Sequence, residues 1–322
     1  MLQPDGRGNL RLFSGNANSG LAGAIARYFE TTLSAATIGS FRDGETRVVV
    51  QDDVHGADVF AIQPTSPPVN EHLMELLLLL DALRRAGADR CTAVIPYYGY
   101  ARQERRTTPQ EPISAKLVAN LLTAAGADHI VTMDLSAEAI EGFFDLPVDH
   151  LHAIPLLARA FQGVDPRQTA IVAPDVGAVK RAEAFQRLVA PGAPIAVVLK
   201  DRPRPDEVGP SALAGDVRGK HVILVDDMIS TGGTLLHAAS LALESGAISV
   251  SACAVHGVFA PGAIDALLAS LIQRVVVTNT IPVEPRERLE VVNVASLFAE
   301  AIDRIHGARV TEAELMAGPP VI

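Results

Sequence analysis

The stretch HVILVDDMISTGGTLLHAA, residues 221–239, decides the reading of the chain. An apolar run, Val222–Val225, within the strand read at Val222–Asp226, leads into two aspartates. A short loop of Ser, Thr and Gly follows, and then a helical pattern. At the carboxyl end of a parallel strand such a loop points backbone N–H groups at one spot and makes an anion site. Glycines let the backbone approach closely, and Ser and Thr add hydroxyl donors. The paired acids beside an anion site need their own reason, which a sugar's hydroxyls or a Mg²⁺ ion would supply. A capped helix after a strand explains one aspartate and one threonine only.

Outward from this stretch the same grammar repeats. Val59–Gln63, Thr92–Pro96, Ile130–Asp134, Ala170–Pro174, Val250–Val255 and Val275–Thr278 read as buried strands. Asn70–Ala86, Ile113–Ala125, Gly177–Val189 and Thr231–Ser245 read as amphipathic helices. Strands and helices alternating in this way predict parallel sheets covered by helices. A small repeat, Arg85-Ala86-Gly87-Ala88, Ala124-Ala125-Gly126-Ala127 and Glu244-Ser245-Gly246-Ala247, ends three helices at a glycine suited to the left-handed C′ position. The repeat occurs in both halves, so two similar α/β domains are expected, joined near Val148–Ile154. The tail after His306 reads as irregular.

Composition bounds the function. The chain has 322 residues and a formal charge of −10, with 48% hydrophobic residues. It can build a sizeable core, and an acidic balance argues against a general nucleic-acid binder. Two cysteines, Cys91 and Cys253, make neither a disulfide framework nor a metal cluster and fit a reducing cytoplasm. The first residues carry no signal-peptide pattern. The most apolar stretch, Leu73–Leu83, is too short for a bilayer and carries Glu75 and Asp81, so no membrane role is expected.

Three further segments carry chemistry. YYGYARQERRTTPQEP, residues 97–112, holds Arg102, Arg105 and Arg106 on a loop that could grip a polyphosphate, or be a solvated charged loop. IVAPDVGAVKRAEAF, residues 171–185, ends a strand at Asp175 and opens a helix at Gly177; Lys180 and Arg181 read as first-turn surface. VVLKDRPRPDEV, residues 197–208, places Lys200, Arg202 and Arg204 on a loop of a length that can close over a site.

Residues 226–234 resemble the phosphoribosyl-diphosphate loop of the type I phosphoribosyltransferase fold. The chain as a whole resembles the ribose-phosphate diphosphokinases within that fold. The likeness runs through Ser14-Gly15-Asn16-Ala17-Asn18, Phe41-Arg42-Asp43-Gly44-Glu45, NEHLMELL (70–77), AVIPYYGYARQ (93–103), EPISAKL (111–117), Gly142-Phe143-Phe144-Asp145 and VVVTNTIP (275–282). It implies two tandem domains of this fold, each a mostly parallel sheet flanked by helices. The expected division is 1–151, 152–308 and a tail, 309–322, packing back on the N-terminal domain.

It further implies transfer of the diphosphoryl group of ATP to the 1-hydroxyl of D-ribose 5-phosphate with Mg²⁺, by a homo-oligomer whose active site lies between domains and at a subunit interface. By the same resemblance Phe41, Asp43, Glu45, Arg102 and Gln103 bind ATP. Asp226, Asp227, Ser230, Thr231, Gly232, Gly233 and Thr234 bind ribose 5-phosphate. Lys200 and Arg202 stabilise the transferring group, and Asp175, Asp226 and Asp227 lie at the metal.

The chain departs from the family pattern in three places. Ser136 stands where the family has a histidine that contacts Mg²⁺–ATP; a hydroxyl cannot replace imidazole as ligand or proton carrier, and is read as holding a water toward the metal. Ser230 replaces a common aspartate. Asp53, His55, Gln110 and Glu111 lie where family members that respond to phosphate or ADP carry arginines. The enzyme reading therefore competes with a non-catalytic or weakly active paralogue that assembles with and regulates an active synthetase. A plain phosphoribosyltransferase, the third reading, leaves the segments at 41–45 and 97–103 unexplained.

Overall fold

The computed structural model describes residues 9–200 and 211–317, the side chains of 200, 211 and 308–317 excepted. They form two units. One comprises the chain up to Leu151 together with the segment from Val294 onward; the other is His152–Asn293.

The first unit runs β1 (Leu10–Ser14), α1 (Ser19–Tyr28), β2 (Ala36–Ser40), β3 (Thr46–Val50), β4 (Asp58–Ile62), α2 (Val69–Arg85), β5 (Arg90–Ile95), α3 (Ser114–Ala125), β6 (His129–Met133) and β7 (Val148–Leu151). Five strands pair in parallel in the order β1-β4-β5-β6-β7, and β2 and β3 make a separate antiparallel hairpin. β4 is buried along its whole length, as expected for a strand covered on both faces. α2 turns Leu73, Leu76, Leu80 and Leu83 onto the sheet, a three-to-four-residue spacing that matches one helix face, and Val118 and Leu122 of α3 join the same core.

The second unit runs α4 (Ile154–Arg159), β8 (Thr169–Ala173), α5 (Val179–Val189), β9 (Ile195–Lys200), β10 (Ser211–Ala214), β11 (His221–Ile229), α6 (Gly233–Glu244), β12 (Ser249–Gly257), α7 (Ala263–Leu268), β13 (Ile272–Thr278) and β14 (Leu289–Val292). The sheet order is β10-β9-β8-β11-β12-β13-β14, parallel except for β10. The order reverses between β8 and β11, and the crevice at their carboxyl ends is the topological switch point.

The three repeated glycines end their helices as the sequence suggests. Gly87, Gly126 and Gly246 have φ of 85°, 107° and 93°. In each case the glycine N–H bonds the carbonyl three residues back, and the next N–H bonds the carbonyl five back, a Schellman cap. A second glycine, Gly56 in one unit and Gly219 in the other, donates its N–H to the cap-glycine carbonyl, both at 2.8 Å.

Two expectations need correction. The chain beyond His306 is not irregular: α8 (Ala295–Ala317) runs through it. A domain spanning 152–308 also assigns this helix to the second unit, whereas it packs along α1 in the first. The reason is a set of charged contacts. His306 Nδ1 and Arg90 both meet the buried Asp58 carboxylate, at 2.7 and 2.6 Å, and Arg90 also donates to the Ile305 carbonyl. Arg304 bonds Asp149 at 2.8 Å, and Asp149 also meets His129. Arg90, Asp58, His129 and Asp149 sit at the amino-terminal ends of four neighbouring strands, or one position into them, so α8 closes that edge.

Candidate active site

In the second unit β11 is longer than the apolar run suggests. It pairs with β8 only as far as Leu224, but continues beside β12 to Ile229. Asp226 and Asp227 therefore lie within a strand, one-sidedly paired at the switch point. Each carboxylate accepts the next backbone N–H, Asp227 to Asp226 at 2.9 Å and Met228 to Asp227 at 2.8 Å. Burial and the neighbouring Asp227 carboxylate push the Asp226 carboxyl well above its ordinary value. Two acids held this way want a cation.

Arg181 supplies one. From the first turns of α5 its guanidinium reaches both carboxylates, at 3.9 Å each. By sequence alone Arg181 reads as helix surface, because a single basic residue in a first turn has no periodic signature. Asp175, after β8, caps the short 3-10 turn Val176–Ala178 by accepting the Ala178 N–H at 3.2 Å. The helix expected from Gly177 thus begins at Val179.

The loop Ser230–Thr231–Gly232 leads into α6, whose first residue is Gly233 rather than Thr231. Gly232 takes φ +78°, a left-handed conformation that suits glycine, and a Cβ there would crowd Leu267 at 3.2 Å. No side chain caps α6; Thr231 Oγ1 receives only a long bond, 3.4 Å, from the Gly233 N–H. A twelve-residue helix thus begins at the carboxyl end of β11 with its first amides uncapped by side chains. Thr234 lies in its first turn. Lys200 ends β9, and Arg202 lies outside the described residues.

The first unit holds the remaining candidates. Phe41, Asp43 and Glu45 form the tip of the β2–β3 hairpin. The Phe41 N–H bonds the Glu45 carbonyl at 2.8 Å, and Gly44 turns the chain at φ 96°. The Phe41 ring is half-exposed and meets the Arg47 guanidinium at 5.8 Å. Arg102 and Gln103 are exposed on the loop after β5. That loop is pinned at several points: Gly99 N–H to Thr65 Oγ1 at 2.6 Å, Tyr100 to Asn70, and Ser114 to Gln103 at 2.6 Å. Among the described residues no hydrogen bond or ion pair joins the hairpin tip to Arg102 or Gln103.

Ser136 follows β6. Its Oγ is buried and has no hydrogen-bond partner, which is unusual for a hydroxyl. The turn that presents it is held from β7: the Leu135 N–H donates to His150 Nε2 at 2.9 Å, and His150 Nδ1 meets Glu141 at 2.5 Å. Just before, Asp134 takes a left-handed φ of 39°.

The donor set can be tested against a divalent ion. Among the described residues no three acidic, His or Cys side chains converge as a ready-made cage. Asp226 and Asp227 supply two neighbouring, largely buried carboxylates at the carboxyl end of the sheet. Mg²⁺ binds readily through one or two carboxylates with the rest of its shell from phosphates and water, so the residues fit it.

Comparison with known proteins places these features in one family. Residues 10–126 match the N-terminal domain of ribose phosphate pyrophosphokinase, and residues 198–313 the phosphoribosyl synthetase-associated domain. A ribose-phosphate pyrophosphokinase of Gloeobacter violaceus is 50% identical over 300 residues, 92% of this chain and 90% of that one. One of Clostridium tetani is 46% identical over 93% of this chain and 95% of its own. The crystal structure of phosphoribosylpyrophosphate synthetase from Mycobacterium smegmatis superposes with a TM-score of 0.88 at 40% identity, covering 93% of this chain and 99% of that one. With two units of this architecture and relatives of this closeness along nearly its whole length, the chain belongs to the ribose-phosphate pyrophosphokinase family.

Proposed function

We propose that the protein transfers the diphosphoryl group of ATP to the 1-hydroxyl of D-ribose 5-phosphate, giving 5-phospho-α-D-ribose 1-diphosphate and AMP. The observation that carries this is the β11–α6 corner: two half-buried carboxylates run straight into an uncapped helix N-terminus. The 5-phosphate sits on the amides and hydroxyls of Ser230, Thr231, Gly232, Gly233 and Thr234. Asp226 and Asp227 take the ribose hydroxyls and, with Asp175 nearby after β8, hold Mg²⁺. When bound, the ion offsets phosphate charge.

Phe41, Asp43, Glu45, Arg102 and Gln103 bind ATP. The sugar oxygen bonds to the β-phosphorus as the bond to the α–β bridging oxygen breaks, and AMP leaves with that oxygen. Lys200 and Arg202 stabilise charge on the transferring oxygens, so catalysis is positioning and electrostatics without a covalent intermediate. A homo-oligomer would let a second copy bring the hairpin tip to the Arg102 loop. Cys91 and Cys253 are both free and buried, which fits a cytoplasmic enzyme, and burial pushes the Cys91 thiol up to about 11, so it stays protonated. No helix of the described residues is long and apolar enough to cross a membrane.

Purified protein mixed with ATP, Mg²⁺ and ribose 5-phosphate should form AMP and phosphoribosyl diphosphate and stop on chelation. ADP in place of AMP would reject diphosphoryl transfer. The unpartnered Ser136 Oγ favours a second reading, the regulatory paralogue. No turnover, with tight binding to an active synthetase, selects it.

A further inference from the structure

Three segments of the first unit meet at the Glu75 carboxylate, and a fourth, β2, is tied to them through Asn16. Gln63, the residue after β4, is fully buried. Its Oε1 accepts the Ala17 N–H at 3.0 Å, and its Nε2 donates to Glu75 of α2 at 2.7 Å and to the His72 carbonyl at 3.3 Å. The close approach depends on Gly15, where a Cβ would stand 2.2 Å from Gln63 Oε1. Glu75 also accepts from Asn16, the backbone N–H at 3.2 Å and the side-chain Nδ2 at 2.8 Å. The same Nδ2 reaches across to the Ile38 carbonyl of β2 at 3.4 Å.

Ile38 belongs to the two-stranded sheet whose tip is Phe41–Glu45. That hairpin is outside the main sheet, and an isolated hairpin is marginal by itself. Ala36, Ile38, Val48 and Val50 rest on the core, but apolar contact alone is non-directional and does not fix a tip. The bond from Asn16, itself held by Glu75, to the Ile38 carbonyl adds a direction.

We propose that Gln63, Asn16 and Glu75 are positioning residues for the nucleotide, fixing the hairpin from its base so that its tip meets ATP in one geometry. The proposal rests on the ATP role given to the hairpin above. In this view the carboxyl end of β4 carries an anchor rather than a ligand.

Asn16→Asp sets a second carboxylate against Glu75 and breaks the tie from an exposed position. We expect affinity for a non-hydrolysable ATP analogue to fall about tenfold by calorimetry. KM for ATP should rise in proportion, while kcat and KM for ribose 5-phosphate hold. Trypsin should cut faster after Arg42 or Arg47. Adding Glu75→Gln to Asn16→Asp relieves the repulsion between the two carboxylates, but Asp at 16 still cannot donate to the Ile38 carbonyl, so the affinity should recover only in part; full recovery overturns the tie to the hairpin. Should Asn16→Asp fold poorly, Asn16→Ala removes both side-chain bonds without charge and should show a smaller loss of the same kind.

Unchanged analogue affinity in a folded variant, or an equal loss for both substrates, overturns the anchor. A wild type that binds no ATP analogue, yet is folded, fails the diphosphokinase reading itself and takes the anchor with it.

Discussion

The corners after β4 and after β11 hold the same place, each on the strand beside the first strand of its parallel run, yet their chemistry is opposite. After β11 come Ser230, Thr231 and two glycines, which offer amides and hydroxyls. After β4 come Gln63, Pro64, Thr65, Ser66, Pro67 and Pro68. Three prolines in six residues remove the N–H donors an anion would need. Where β11 carries two carboxylates near its end with a long approach to Arg181, β4 is followed by an amide whose both ends are already bonded. One scaffold thus carries two solutions: a corner whose amides face no side-chain cap, and a corner sealed by the chain's own groups.

The units also differ in how they are completed. The second closes on itself with β14, and the first needs α8 from the far end of the chain. Burial alone would raise the Asp58 carboxyl, but the bonds from His306 and Arg90 outweigh it and hold it below its ordinary 3.8. A carboxyl depressed in the folded state adds stability above its unfolded pKa, and loses that contribution as pH falls through the folded value. Thermal melting followed from neutral pH down to about pH 2 should show the first unit weakening below about pH 4. Asp58→Asn leaves Arg90 and His306 facing an uncharged partner and should cost about 3 kcal/mol at neutral pH. The variant should also flatten the acid limb. A second unit that softens equally would break the asymmetry.

The open corner is tested by Asp227→Ala and, separately, Thr234→Val. Each removes a contact to charged or hydroxyl groups of the sugar phosphate, worth about 1.5–3 kcal/mol. Calorimetry should show ribose 5-phosphate binding weakened more than ATP binding. Unchanged sugar affinity in both folded variants would move the site elsewhere.

Much of this corner was legible beforehand. Strands buried on both faces, such as β4, β8 and β11, read as apolar runs, and the three cap glycines marked where helices stop. The β2–β3 hairpin was not legible as strands, because ATIGS and TRVVV are half-exposed and carry no such run. The end of α8 was lost because Gly307 interrupts its pattern; His306 and Arg304 hold it by contacts more than a hundred residues distant in sequence. Arg181 and Gln63 were missed for one reason. Each is a lone residue whose partner comes from another element, and spacing carries no trace of such a pair.

Ser136 sharpens the comparison from the first unit's side. If its hydroxyl holds a water toward the metal, Ser136→His should raise kcat more than it changes KM, since the contact matters most as charge develops. Imidazole roles of this kind are typically worth about 10²–10⁴-fold, but the Ser136 Oγ has no hydrogen-bond partner ready to orient a ring, so about tenfold is expected. The gain should bring a new acid limb to the pH profile, because imidazole titrates near neutrality. An inert or harmful Ser136→His beside an active wild type means the site is built around the serine.

The smallest effect expected is none at all, from free phosphate as an activator. In the first unit the candidate donors are already engaged. Glu111 accepts from the Thr107 N–H at 2.7 Å, the Thr107 hydroxyl at 2.6 Å and the Thr108 N–H at 3.1 Å. The Thr107 hydroxyl first, and then those amides, hold the Glu111 carboxyl below its ordinary value, so it keeps its charge where an anion would bind. Asp53 likewise accepts the His55 N–H at 3.0 Å. An anion arriving there meets carboxylates and spent donors, whereas at the β11–α6 corner it meets uncapped amides. Calorimetric titration with inorganic phosphate should therefore find one saturable site per chain, displaced by ribose 5-phosphate. The reaction rate should not rise with phosphate, and ADP should inhibit without sigmoidicity. Sigmoidal ADP inhibition relieved by phosphate, or a second phosphate site that survives saturating sugar phosphate, would show that the first unit binds anions after all.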